Sequence, residues 1–235
     1  MLDPSTTKCD LGAEDADEHG MRVFIVECPV VNKAVFWDFG GVILSSPFEA
    51  FNAYDQANRI PIDHIRRVNS TDPDTNAWAR IERRELTYDE FDEVFAAESE
   101  ALGHRIPGRD VIGMLYGSVR PEMVVALDTV IEAGYVTACL TNNFVTDGHR
   151  AEVEAVMARF QHVVESSKVG LRKPEVGFYE IACEVAAVHP SEVVFLDDLG
   201  INLKPAKAMG MTTIKVTSAD QAIADLEGVL GIALR

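Results

Sequence analysis

From residue 121 onward, short apolar runs alternate with stretches of helical period, and this alternation leaves few folds open to the chain. Helices are expected at 121–133, 148–159, 175–187, 202–209 and 219–227, with strands at 135–140, 162–165, 193–197 and 212–216 between them. A further strand, Ala34–Asp38, lies upstream and runs into Gly40-Gly41, where the chain must turn tightly. Repeated βα units with nearly continuous apolar strands specify a mostly parallel sheet covered by helices on both faces. The expected fold is therefore α/β, a three-layer Rossmann-like open sheet with right-handed crossovers. Ligands of such sheets sit beyond the carboxyl ends of the strands.

Between Phe48 and Tyr116 the character changes. Candidate helices cover 48–58, 61–68, 73–83, 87–102 and 109–116, with no convincing strand among them. Thr87 followed three residues later by Glu90 has the spacing of a capping box, marking a helix start. The block reads as an all-helical cap, 48–116, inserted into a core made of 33–47 and 117–235 and joined to it by two neighbouring linker strands. Residues 1–20 are polar and acidic without period, which reads as a disordered leader. Residues 22–26 are either an edge strand or an extended part of that leader.

Charge and cysteine usage bear on partners. The formal net charge of −17, with no basic stripe against it, argues against a nucleic-acid partner. No run approaches the 18 or so apolar residues of a membrane span. Cys9, Cys28, Cys139 and Cys183 show neither disulfide-framework nor zinc spacing, and the acidic start is unlike a secretory signal. A cytoplasmic location, as a monomer or homodimer, is expected.

The chemistry is expected at the strand ends. Asp38 ends the first strand, Thr141 follows the second, and Asp197-Asp198 ends the fourth, while Lys173 lies in the loop before helix 175–187. Singly, each is an ordinary turn, cap or surface residue. The adjacent carboxylates of Asp197 and Asp198 are less ordinary, because they repel unless a cation or hydrogen-bond donors compensate them. Three acids and a lysine converging on one crevice suit a hard cation and a phosphorylated ligand.

Four motifs carry a resemblance from about Lys33 to the end of the chain: Val35–Val42 (VFWDFGGV), Cys139–Asn143 (CLTNN), Gly170–Pro174 (GLRKP) and Val193–Leu203 (VVFLDDLGINL). With the cap segment Trp78–Phe91, they resemble the haloacid dehalogenase-like superfamily. The similar branch has a small helical cap and includes the phosphatase domain of mammalian epoxide hydrolase and bacterial sugar-phosphate phosphatases. The resemblance implies a Mg²⁺-dependent hydrolase of a small phosphorylated metabolite that works through an aspartyl-phosphate. It implies Asp38 as nucleophile, with Thr141 and Lys173 as its catalytic partners. Asp38, the Gly40 carbonyl and Asp198 would hold Mg²⁺ directly, with Asp197 as a more distant or water-mediated ligand. Asn142 and Asn143 would meet substrate, joined by a cap arginine, Arg83 being the choice among Arg80, Arg83 and Arg84. Trp78 is expected in the cap interior.

One departure bears on activity. Members of this superfamily that hydrolyse phosphate esters usually carry a second Asp two residues after the nucleophile, which protonates the leaving oxygen, and here that position is Gly40. General acid–base catalysis contributes roughly 10²–10⁴-fold. Three activities follow: a slow phosphatase, a 2-haloacid dehalogenase whose halide needs no proton, or a non-catalytic binder of a phosphorylated ligand or protein. The Asp197-Asp198 pair and the absence of an aromatic residue at position 40 count against the dehalogenase.

Overall fold

The computed structural model describes residues 32–115, 117–144 and 151–235. The expected leader, the 22–26 segment and the start of the 148–159 helix lie outside the described residues. Five parallel strands, β1 (Ala34–Trp37), β2 (Val136–Thr141), β3 (His162–Glu165), β4 (Val193–Asp197) and β5 (Thr212–Lys215), form one sheet in the order β3-β2-β1-β4-β5. The cap helices are α1 (Phe48–Ala57), α2 (His64–Ser70), α3 (Ala77–Glu82), α4 (Tyr88–Ala101) and α5 (Gly108–Gly113). Around the sheet stand α6 (Pro121–Glu132), α7 (Ala151–Met157), α8 (Ser166–Val169), α9 (Val176–Ala186), α10 (Gly200–Ala208) and α11 (Ala219–Leu230). This is the three-layer α/β sheet with an inserted helical cap.

The central strand is apolar on both sides because both sides are covered. Side chains alternate across a strand, so Val35 and Trp37 join Leu127 of α6 and Ile223 of α11 in one cluster. Ala34 and Phe36 join Phe178 and Tyr179 of α9 and Leu203 of α10 in the other. The cap has its own interior, built on Phe51, Ile65, Ile81, Phe91, Phe95 and Ile112. Its connections to the sheet run side by side, for Leu44 bridges Val119 in antiparallel fashion and Ser45 N–H donates to Ser118 O at 2.8 Å.

Two cap helices start later than their spacing suggests. Asn76 caps α3 by accepting from Ala79 N–H at 2.9 Å, which leaves 73–75 outside the helix. Asp63, at φ 66°, interrupts the approach to α2. The capping box of α4 forms as the Thr87–Glu90 spacing requires. The short helix α8 had no signal in the sequence; at four residues it is too brief for a helical period to show. Among the described residues, no helix is long and apolar enough to cross a membrane.

Candidate active site

Strand register assembles the site. Trp37 is level with Leu196 of β4 and with Cys139 of β2, and Asp38 N–H donates to Leu196 O at 2.8 Å. The next residue along β1 is Asp38 and along β4 Asp197, so the two carboxylates leave the sheet side by side. Thr141, at the end of β2, lies across from them on the same edge.

Lys173 joins the acids. It is 1% exposed, and its ammonium lies 2.7 Å from Asp38 Oδ1 and 2.8 Å from Asp197 Oδ2. Burial works against its charge, but Asp197 and Asp38 outweigh burial and hold it protonated well above the usual lysine range. Asp197 is fully committed: its Oδ1 accepts from Leu199 N–H at 2.8 Å, and Asn202 Nδ2 lies 3.1 Å from both carboxylate oxygens. Asp38 Oδ1 accepts from Phe39 N–H at 2.7 Å as well as from Lys173.

One ligand oxygen from each of Asp38, Asp197 and Asp198 falls within 4.8 Å of the others. Three carboxylates therefore face one ammonium. Burial, then Asp197 and Asp198, push the Asp38 carboxyl up against the pull of Lys173. Burial, then Asp197, push Asp198 up to about 6. Crowded acids with an excess of negative charge and all-oxygen donors fit a hard divalent cation. Donors already reach both oxygens of Asp197, so Asp38 and Asp198 are the carboxylates that could ligate such a cation directly.

The loop after Asp38 explains both glycines. Gly40 has an ordinary extended backbone, φ −73° and ψ 130°, and a Cβ there would meet nothing within 4 Å. Gly41 has φ 78°, and a Cβ there would overlap the Asp198 carboxylate. Arg120, at the start of α6, donates to Gly41 O at 3.0 Å and pins this turn. Gly41→Ala is expected to displace Asp198 and weaken divalent-cation binding by about tenfold or more, from backbone strain and overlap together. Mg²⁺ titration calorimetry of the variant checks this, and an unchanged affinity contradicts it.

The cap closes over the cluster through Glu82, at the end of α3. Its carboxylate, only 4% exposed, accepts from Arg172 Nε at 2.6 Å and Asn142 Nδ2 at 3.2 Å. Burial pushes the Glu82 carboxyl up, and Arg172 partly offsets it. The Asn142 side chain also grips the backbone of Lys173, donating to its O at 2.9 Å and accepting from its N–H at 2.8 Å. Glu82→Leu leaves Arg172 unpaired and is expected to cost about 3–5 kcal/mol, the range for breaking a buried pair. The urea-unfolding midpoint reads this, and an unshifted midpoint contradicts it.

The other residues expected at substrate are placed as follows. Thr141 is buried at the cavity floor. Asn143 also lines the cavity, but its side chain is tied to Glu165 at 2.7 Å and to the Ser167 hydroxyl at 2.9 Å. Arg83, expected at substrate, instead bonds Glu85 at 2.6 Å, Glu175 at 3.3 Å and the Asp74 carbonyl at 3.0 Å. Residues that do line the cavity include its neighbours Glu82 and Trp78, together with Arg172. Trp78 and Glu82 are four apart on one helix face, a signal available in the sequence. Glu82 adjoins Arg83, Arg84 and Glu85, a charged run that reads as a solvated helix face, and the role of Arg120 depends on the fold of the Gly40-Gly41 turn.

The same arrangement of sheet and cap occurs in known proteins. The chain is 31% identical over 215 residues to bifunctional epoxide hydrolase 2 of Mus musculus, matching 85% of this chain and 39% of that protein. It spans well under half the length of the mammalian proteins it matches first. A HAD family enzyme from Bacteroides thetaiotaomicron, solved with magnesium and inorganic phosphate, superposes at a TM-score of 0.56 with 20% identity, covering 83% of this chain and 98% of that one. L-2-haloacid dehalogenase from Xanthobacter autotrophicus, solved with chloropropionic acid covalently bound, gives 0.54 with 19% identity over 86% of this chain and 85% of that one. Residues 32–210, three-quarters of the sequence, match the model of haloacid dehalogenase-like hydrolases, and the chain belongs to that family.

Proposed function

We propose that the chain is a Mg²⁺-dependent phosphomonoester hydrolase acting on a small phosphorylated metabolite through an aspartyl-phosphate at Asp38. The observation that carries this is the Lys173 ammonium between Asp38 and Asp197, with the Asp198 carboxylate close by on the same strand edge. Asp38, Asp198 and the Gly40 carbonyl would hold Mg²⁺, with Asp197 outside the direct ligands. When bound, the cation offsets the negative charge of the carboxylates and of the phosphoryl oxygens beside them.

Asp38 would attack phosphorus through one carboxylate oxygen while the other meets the cation, and Phe39 N–H and Lys173, both donating to Oδ1, hold the carboxylate in place. As the Asp38–phosphorus bond forms, the bond from phosphorus to the leaving oxygen breaks. Lys173 and the Thr141 hydroxyl stabilise the charge that spreads over the phosphoryl oxygens. The leaving oxygen takes its proton from water, because Gly40 offers no acid. A second water then attacks the aspartyl-phosphate, releasing phosphate and restoring Asp38.

Phosphate release from aryl phosphates, with and without Mg²⁺, tests the proposal. Metal-dependent release is expected; chloride release from 2-haloacids in its place would assign the dehalogenase activity, and neither would assign a binding protein. The open space and ordinary backbone at Gly40 also make Gly40→Asp structurally permissible. That variant is expected to speed alkyl phosphate turnover by about tenfold or more, with a smaller gain for aryl phosphates, whose leaving groups need the proton less. An aryl-to-alkyl rate ratio unchanged from the unmodified chain would show that another group already supplies the acid.

A further inference from the structure

Beyond the acids, a cavity of about 760 Å³ extends between the sheet edge and the cap. A phosphoryl group fills only its floor. The walls include Phe48, Phe51, Trp78, Leu115 and Phe144. Phe51 belongs to the buried cap interior, whereas the other four are half-buried residues packed on the flank of that interior. Phe144, following β2, meets Trp78 of the cap edge-on at 6.3 Å, so the apolar wall is continuous across core and cap.

The polar side chains around this wall are largely committed to one another. Glu82 holds Arg172, Asn142 holds Lys173, and Arg66 pairs with Asp63 at 3.0 Å while lying over the Phe48 ring at 4.3 Å. The buried Asn69 Oδ1 has no hydrogen-bond partner, and the exposed Arg67 and Asp74 side chains, which also line the cavity, form no ion pair among the described residues. A sugar would bring several hydroxyls to this surface and find partners for few of them. An apolar body would displace water from the aromatic wall without that loss.

We propose that the site selects phosphomonoesters whose organic part is a predominantly apolar chain or ring system, in preference to phosphorylated polyols. This rests on the hydrolase reading above, and it assigns the apolar wall to the body of the same molecule whose phosphate meets Asp38. The reaction is ordinary ester hydrolysis: water and the phosphomonoester give inorganic phosphate and a hydrophobic alcohol.

A series of 4-n-alkylphenyl phosphates tests it, because lengthening the alkyl group changes the buried area but not the leaving oxygen. With the Mg²⁺-loaded full chain, kcat/KM is expected to rise about fourfold for each of the first several methylenes, the full transfer value. Leu115→Asn and Phe48→Ser should each flatten that slope. Calorimetric binding of n-alkylphosphonates needs no turnover and should show the same rise. Turnover with no dependence on chain length, or a preference for a sugar phosphate of similar size, overturns the inference and leaves the hydrolase reading standing. No turnover of any ester, with phosphonate affinity still rising with chain length, overturns the hydrolase reading and keeps the apolar selectivity. Flat phosphonate binding overturns the selectivity whatever the rates.

Discussion

Asp38→Asn is expected to reduce phosphate release by at least about 10⁴-fold, the scale on which removing a nucleophile acts, while the fold survives. An amide does not form the acyl-phosphate that a carboxylate forms, and Lys173 and Thr141 then have no intermediate to stabilise. The same change relieves crowding among three acids that face one lysine. Burial and the neighbouring acids push the Asp38 carboxyl up, so its ionised form costs the folded protein free energy in the absence of metal. Metal-free Asp38→Asn is therefore expected to match or exceed the unmodified chain in urea-unfolding midpoint. Loss of activity without loss of stability distinguishes a chemical role from a structural one. Phosphate release within tenfold of the unmodified chain would remove Asp38 from the chemistry.

Lys173→Met is expected to damage both properties. The substitution leaves Asp38 and Asp197 buried without their shared cation, and breaking a buried pair from one side costs about 3–5 kcal/mol. Activity is expected to fall by about 10²–10³-fold, the effect of losing one preorganised electrostatic partner of the transition state. The stability loss should depend on pH in a defined direction. Without Lys173 the Asp38 carboxyl, already pushed up by burial and its neighbouring acids, rises further above its unfolded value, so the folded state binds that proton more tightly than the unfolded state. Its stabilising protonation is complete below the unfolded carboxylate range and is lost as pH rises through the folded value. The deficit should then shrink between pH 8 and pH 5.5, and urea midpoints at the two values measure it. A deficit that grows on acidification contradicts the paired-charge arrangement. In the unmodified chain without metal, Asp198 at about 6 acts in the same direction, lowering stability as pH rises through that value.

The residues that were legible in the sequence are those whose position follows from a strand end. Asp38 and Asp197-Asp198 follow apolar runs, and any parallel pairing of those runs brings them to one edge. Lys173 was legible only through its motif, because nothing in the spacing of a loop lysine indicates that it will be 1% exposed between two acids. The division of labour between Asp197 and Asp198 was less visible. It depends on which of the two turns inward to Asn202 and Lys173, and that follows from the path of the chain into α10. The cap was the least legible part. Its helices were evident from their period, but which face of α3 meets the core depends on packing between elements distant in sequence. Arg83 and Glu82 are adjacent in sequence and one helical step apart, and that step separates a cap–core ion pair with Glu175 from the carboxylate that clasps Arg172 and Asn142. Gly40 and Gly41 likewise read as one turn, yet only Gly41 lacks room for a side chain.

The covalent step is open to direct observation. Metal-loaded protein turning over an aryl phosphate is quenched in acid, digested, and its peptides weighed. One phosphoryl group on the peptide containing Asp38, labile to hydroxylamine and missing from Asp38→Asn, is the expected result. Sustained phosphate release with no adduct at any quench time, or an adduct on another residue, contradicts an aspartyl-phosphate at Asp38.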